Sequence, residues 1–594
     1  MRIRRGRSAW GGWRQLRGGL VALLLALALA RASGCAGVGA NSSAAPAPGT
    51  DAGGSGVGLG LGGVGGERTG AGGAVSEPER EIDGAYQAPV ATGRFVWIAN
   101  PSSGHVAYVD AATLAVKTVE AGDAPTTIAA VPDAAGGDQV IVLNQLSHDA
   151  TVLRADGAGG PPASRTITGV VPGANRVAVS PLGRFVIAWI DGRGQANARP
   201  TDGFQSITVI DLGAPAAAAD AGGGALASHV TVAVGFRPVS ITFAADEQRA
   251  FAVTEDGVSI IALDGASGPR VTGNVALGDD ATASVDTRDV SITADGRWAV
   301  VRREGSDTVS LVELGTGAIT ALRLSGPVTD LDLTADGTRA LAVVRATGEV
   351  ALIPLDAPAP VSGAITHLTI AGETIGQAVL TADGATAVLY SNAVAAQRLT
   401  VLSLGATPTW RTLRVHAPVL AVVPSPDGRG AVVLHPADAS GAGGAAGDAG
   451  LAPDGGRDGG AAPGDGAAPG ATPEVGAFSL LSLDGTQPAF IQATDAPLRA
   501  LAFSPAGDRV LLTVRDDRAA VFAVYLALFP TLEVRRYPLA SPPIAAGVAA
   551  AARRGYVAQQ HPEGRITFFT LDSGEARTLT GYELGARVVD WSRP

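Results

Sequence analysis

Val290-Ser-Ile-Thr-Ala-Asp-Gly-Arg-Trp-Ala-Val-Val301 is the stretch whose reading decides the fold. Val290–Ile292 and Trp298–Val301 are short apolar runs with period-2 spacing, the mark of strands. Thr293-Ala-Asp-Gly296 lies between them, and Asp-Gly supplies the positive φ that a tight hairpin needs. A loop at Glu304–Asp307 leads to a third run, Val309-Ser-Leu-Val312, and Ala318–Leu324 makes a fourth. One unit is therefore a four-stranded antiparallel meander.

The same phrase recurs along the chain. Its turns read Thr334-Ala-Asp-Gly337, Thr381-Ala-Asp-Gly384, Ser425-Pro-Asp-Gly428 and Ser504-Pro-Ala-Gly507. Ser180-Pro-Leu-Gly183 and Ala244-Ala-Asp-Glu247 are looser copies. Ten hairpins fall near residues 94, 139, 184, 249, 297, 339, 386, 430, 509 and 555. The wide gap after the eighth holds 437–473, a Gly-Ala-Asp-Pro stretch read as a disordered insertion. Without it the repeat is roughly 46 residues, within the range of four-stranded propeller blades. The predicted fold is an all-β propeller of four-stranded antiparallel blades over 93–594. Seven to ten blades in one ring, or two smaller rings, are the arrangements left open, because propellers usually have about 4–8.

Phe95-Val-Trp-Ile-Ala-Asn100, Ser103-Gly-His-Val-Ala-Tyr-Val-Asp110, Leu114–Gly122 and Pro125 together resemble the YVTN-type, WD40-like β-propeller repeat. Gly235-Phe-Arg-Pro238 followed by Val239-Ser-Ile-Thr-Phe243 resembles its second half, and later copies are degenerate. The resemblance implies a ring of blades and names no activity. At the other end, Ala586-Arg-Val-Val-Asp-Trp591 reads as a strand without a hairpin, expected to complete the first blade.

The N-terminus reads as an address. Six arginines precede Leu20–Ala30, an apolar run too short to span a bilayer. A basic region, a short apolar core and small residues make a secretory signal, here residues 1–34. Ala32-Ser33-Gly34-Cys35 resembles the lipobox of bacterial lipoproteins, although Ala32 stands where Leu is preferred. That resemblance implies acylation of Cys35, the single cysteine of the chain. The expected location is the cell envelope, with the lipid in the outer membrane or at a periplasmic face. The alternative is a soluble secreted or periplasmic protein. Residues 35–92 are Gly, Ala, Ser and Pro with little else, and are expected to be a disordered tether.

Composition narrows the function. A net charge of −11 repels a phosphate backbone, so nucleic acid is not an expected partner. With one cysteine there can be no intrachain disulfide and no thiolate metal cluster. No nucleophile elbow, HExxH pair, EF-hand loop or P-loop is present, and no cofactor or metal is expected. In a propeller the links from each blade to the next open on one face, which is where loops can carry function. The resemblance puts Asp123, Arg237, Asp279, Asp280, Asp286, Asp289, Thr329 and Asp495 there as a candidate binding face. The expected role is a non-enzymatic binding or scaffold module for a protein or glycan partner. The alternative is a lactonase-like hydrolase with polar groups at the channel mouth.

Overall fold

The computed structural model describes residues 57–58, 89–132, 137–155, 160–192, 204–213, 229–264, 268–278, 288–356, 362–436, 475–529, 531–561 and 563–585. These form ten antiparallel sheets, each built on a meander of four consecutive strands, and one of them carries a short fifth strand. No α-helix occurs among them, and Ser362–Ala364 makes one 3-10 turn. Blade 5 is typical: Arg288–Ile292, Trp298–Arg303, Thr308–Glu313 and Ile319–Arg323. Its second strand begins where the sequence placed the hairpin.

Ring closure can be followed in the core, which divides into ten apolar clusters. Each cluster is filled from two neighbouring blades. Trp298 and Val300 lie toward blade 6 with Leu331, Ala340 and Ala342. Ala299 and Val301 of the same strand lie toward blade 4 with Phe251 and Val253. Both faces of the strand are thus buried, which is why it reads as a continuous apolar run rather than an apolar–polar alternation. The tenth cluster joins the ends of the chain: Val96, Ile98 and Val109 of blade 1 meet Tyr556, Ile566 and Phe568 of blade 10. Ten blades therefore form one ring, and the two-ring arrangement is ruled out.

Fourth strands such as Val116–Glu120 and Thr409–Arg414 are mostly exposed and form the outer rim. The first strands of consecutive blades lie side by side and surround the axis. Val57–Gly58 forms a strand beside Leu498–Phe503, the first strand of blade 9, with Val57 opposite Leu501 and Gly58 opposite Ala500.

The Asp-Gly turns have one shared chemistry. Gly296 N–H donates to Thr293 O at 2.8 Å. Asp295 Oδ1 accepts from Thr293 Oγ1 at 2.6 Å and from Arg297 N–H at 3.0 Å. Thr293 Oγ1 accepts from Trp298 N–H at 3.0 Å. The same network is built at Thr334–Arg339, Thr381–Thr386 and Ser425–Gly430. Only the glycine has positive φ, and Thr293 N–H donates to Trp298 O at 2.9 Å, so each of these hairpins turns through four residues, here 294–297, and not through the two that Asp-Gly suggests.

At the seam, Val90–Ala91 pairs with the second strand of blade 1 and lies just ahead of Gly93. Ala551 N–H donates to Gly93 O at 2.7 Å, and the Tyr556 hydroxyl donates to Pro89 O at 2.6 Å. The expected closing strand, Ala586–Trp591, lies outside the described residues, as do residues 437–473, Cys35 and the signal segment. The chain just before that strand does reach blade 1. Asn100 Nδ2 donates to Tyr582 O at 2.9 Å, and Ser103 Oγ donates to Glu583 at 2.7 Å.

Two substitutions test these blade-to-blade contacts. A Cβ on Gly296 would sit 2.3 Å from the Phe251 ring, so Gly296→Ala should cost about 1–3 kcal/mol. Trp298→Ala, which empties a buried site and loses the 3.1 Å bond to Leu355 O, should cost about 3–5 kcal/mol. Chemical denaturation of each variant reads both values.

Candidate functional site: the connection face

In a four-stranded meander the first and third strands run one way and the second and fourth run back. The links between blades and the loops between second and third strands therefore share one face. The Asp-Gly turns lie on the opposite face. The insertion after His435 falls between the second and third strands of blade 8, Gly430–His435 and Gly476–Ser482, and so starts from the connection face.

The candidate residues distribute around that face. Asp123 is exposed, and its N–H donates to Ser147 Oγ at 3.1 Å. Arg237 sits at φ 49°, with its guanidinium 5.1 Å from the Phe236 ring centre and 3.6 Å from Glu255. Asp279, Asp280 and Asp286 lie outside the described residues. Asp289 accepts from Arg302 Nε at 2.9 Å and from its Nη2. Arg302 Nη1 in turn donates to Thr329 O at 3.0 Å, and Thr329 Oγ1 donates to Gly376 O at 2.7 Å. The structure thus brings Asp289 and Thr329 together through Arg302, while Asp123, Arg237 and Asp495 belong to separate junctions. The Arg302 side chain is 14% exposed and ties blade 5 to the link into blade 6.

Asp495 accepts from the Tyr525 hydroxyl at 2.8 Å and from Arg536 Nε at 3.0 Å. Burial pushes its pKa up, but the bonds from Arg536 and Tyr525 outweigh that and hold it below the usual value. Burial, helped by the bond to Asp495, pushes Tyr525 up to about 12.

Further clasps at this face carry no sequence signature. Arg288 Nη2 donates to Thr254 O at 2.8 Å, from blade 5 back to blade 4. Asp330 accepts from Ala378 N–H at 2.7 Å, from blade 6 to blade 7. Asn392 Nδ2 donates to Leu420 O at 3.3 Å, from blade 7 to blade 8. Each uses a different residue type, so no motif search could find the set. A cleft of roughly 350 Å³ also opens by blade 3, lined by Gly169, Val171, Pro172, Ile190, Phe204 and Thr231 among others. Among the described residues, no three His, Cys, Asp or Glu side chains gather closely enough to hold a metal ion. Where it is described, this face offers hydrogen-bond donors and acceptors held in place by neighbouring blades.

No family model matches the chain, and no curated protein matches it in sequence. Solved structures do. Kuenenia stuttgartiensis hydrazine synthase is 17% identical over 56% of this chain and 100% of that chain, with a TM-score of 0.29. Dihydro-heme d1 dehydrogenase NirN in complex with DHE is 15% identical over 78% of this chain and 76% of that chain, at 0.34. The Myceliophteria thermophila Cps50 (Swd1) β-propeller domain is 13% identical over 50% of this chain and 90% of that chain, at 0.29. At these identities and scores nothing of what those proteins do transfers to this chain.

Two measurements check the clasps. Arg302→Gln leaves Asp289 half-buried without its partner. It should cost about 2–3 kcal/mol, less than the roughly 3–5 of a fully buried pair, and Asp289→Asn in the same background should recover part of it. His435 is buried, with Nδ1 at 2.7 Å from Pro418 O and Nε2 at 2.7 Å from Ser479 Oγ. Burial lowers its pKa from 6.5, the bond to Pro418 opposes this, and His416 adds to it. The unfolded chain then binds the proton more readily, so stability is lost as pH falls below 6.5. Melting curves from about pH 7.5 to about pH 5 should fall more steeply for wild type than for His435→Gln.

Proposed function

We propose that this protein is a non-enzymatic binding or scaffold module, presented at the cell envelope through a lipid on Cys35, that receives a protein or glycan partner on its connection face. A propeller lends itself to binding in general. The observation that carries the finer reading is the set of blade-to-blade clasps at that face. Side chains such as Arg302, Arg288, Asp330 and Asn392 are held by backbone groups of the neighbouring blade. A surface fixed in advance loses little entropy when it binds, which favours recognition. The sequence supports the envelope location through the basic region, the apolar core and Ala32-Ser33-Gly34-Cys35.

Two experiments test the reading. Mass spectrometry of the mature N-terminus should find acylated Cys35, and Cys35→Ser should move the protein from the membrane to the soluble fraction. An unmodified N-terminus at another residue would remove the anchor. A photo-crosslinking residue at Asp123 or Ser102 should capture partners in native envelopes, whereas one at Asp336 on the turn face should not. Equal capture from both faces would contradict the assignment, and so would turnover of a lactone abolished by a change at the channel mouth.

A further inference from the structure

The N-terminal segment touches the inner edge of the ring where Val57–Gly58 forms a strand beside Leu498–Phe503 of blade 9. The pairing is antiparallel, with Val57 opposite Leu501 and Gly58 opposite Ala500. In every blade the first strand has the second strand on one side only. Its other edge faces the axis, with a row of backbone groups that the blade itself does not pair. Among the described residues, blade 9 alone has that edge occupied.

The sequence accounts for both partners. Gly56-Val-Gly-Leu-Gly-Leu-Gly62 alternates glycine with Val or Leu, which is the period of a strand. A strand of that composition has one face without side chains, so another backbone can approach it closely. On the acceptor side, edge strands are ordinarily blunted by charge or proline. Asp330–Leu333 of blade 6 carries Asp330 and Asp332, and Ala421–Pro424 of blade 8 ends in proline. Leu498–Phe503 has one charge, Arg499, and the register shift between Leu498 and Ala500 takes it out of the ladder. Ala500-Leu501-Ala502 is left as an apolar edge with neither device, and there Val57 and Gly58 pair. The strand is also longer, at six residues, than the four-residue first strands of blades 3, 4, 6, 7 and 8.

We propose that the axial edge of Leu498–Phe503 is a strand-acceptor site, held by the chain's own Val57–Gly58 and selective for an extended segment that alternates glycine with Val or Leu. Backbone hydrogen bonds supply the affinity of such strand addition, and the side-chain alternation supplies its selectivity. Residues 59–88 join the strand covalently to blade 1, so the pairing is intramolecular and proceeds at a local concentration on the order of a millimolar. A pairing too short to hold between separate chains is sustained in this way. The N-terminal segment therefore latches onto the ring and closes the acceptor edge to other chains. The inference goes beyond the connection-face reading and does not rest on it.

The test compares the full chain with a variant carrying both Val57→Pro and Gly58→Pro. Neighbouring residues of a strand point their N–H groups to opposite sides, so one of the two prolines must remove a donor from the pairing. Neither residue belongs to a blade, so the ring itself is left intact. Deuterium exchange of fragments covering Leu498–Phe503 should be faster by about fivefold or more in the variant, whereas Ala71→Pro, a control in the same segment, should leave it unchanged. A synthetic peptide of residues 54–66 should restore protection to the variant. It should bind wild type more weakly than the variant, again by about fivefold or more, because occupancy in cis sets both factors. The same peptide with both prolines should bind neither. Equal exchange in wild type and variant would mean that the edge stands open in solution and would overturn the latch. Failure of the peptide to protect the variant would overturn the acceptor site. Either failure leaves partner capture from the connection face, and with it the binding reading, untouched.

Discussion

The structure depends on one constraint: the second and third strands of every blade are apolar on both faces, and only a neighbouring blade on each side can cover them. Val300 and Val301 are adjacent residues, yet they belong to different inter-blade clusters. An array of such sheets has no stable end, because each terminal sheet would leave one face wet. Closing the ring removes both ends at once, and burial of Val96 and Ile98 against Tyr556 and Phe568 does so. Stability therefore resides in ten similar walls, and no single central core exists to dominate it.

That distribution shapes what the faces can do. Because the walls hold the ring, the links between blades need not form its core. They are instead joined by hydrogen bonds and ion pairs between neighbours, such as Asp289–Arg302–Thr329. The Asp-Gly turns of blades 5 to 8 on the opposite face share one construction, in which a Thr or Ser, an Asp and a left-handed Gly close the hairpin.

Much of the fold was legible in the sequence. Thr293-Ala-Asp-Gly296 and its copies located the hairpins, and the apolar runs after them became the second strands. Ring size was harder to read, because a repeat of given length suits several blade numbers, and the number is set by side-chain volumes in the walls. The site was less legible. Asp289 and Thr329 lie at one blade junction, but the residue joining them, Arg302, belongs to no motif in the sequence. Arg288, Asp330 and Asn392 gave no signal, because each acts through backbone groups of another blade. Sequence spacing records partners along the chain and does not record those contacts.

The central claim is a single closed ring of ten blades, and a projection of single particles down the ring axis by electron cryo-microscopy tests it most directly. Ten blades in one ring predict one disc with ten spokes. A disc with fewer spokes, or two smaller discs from one chain, would contradict it.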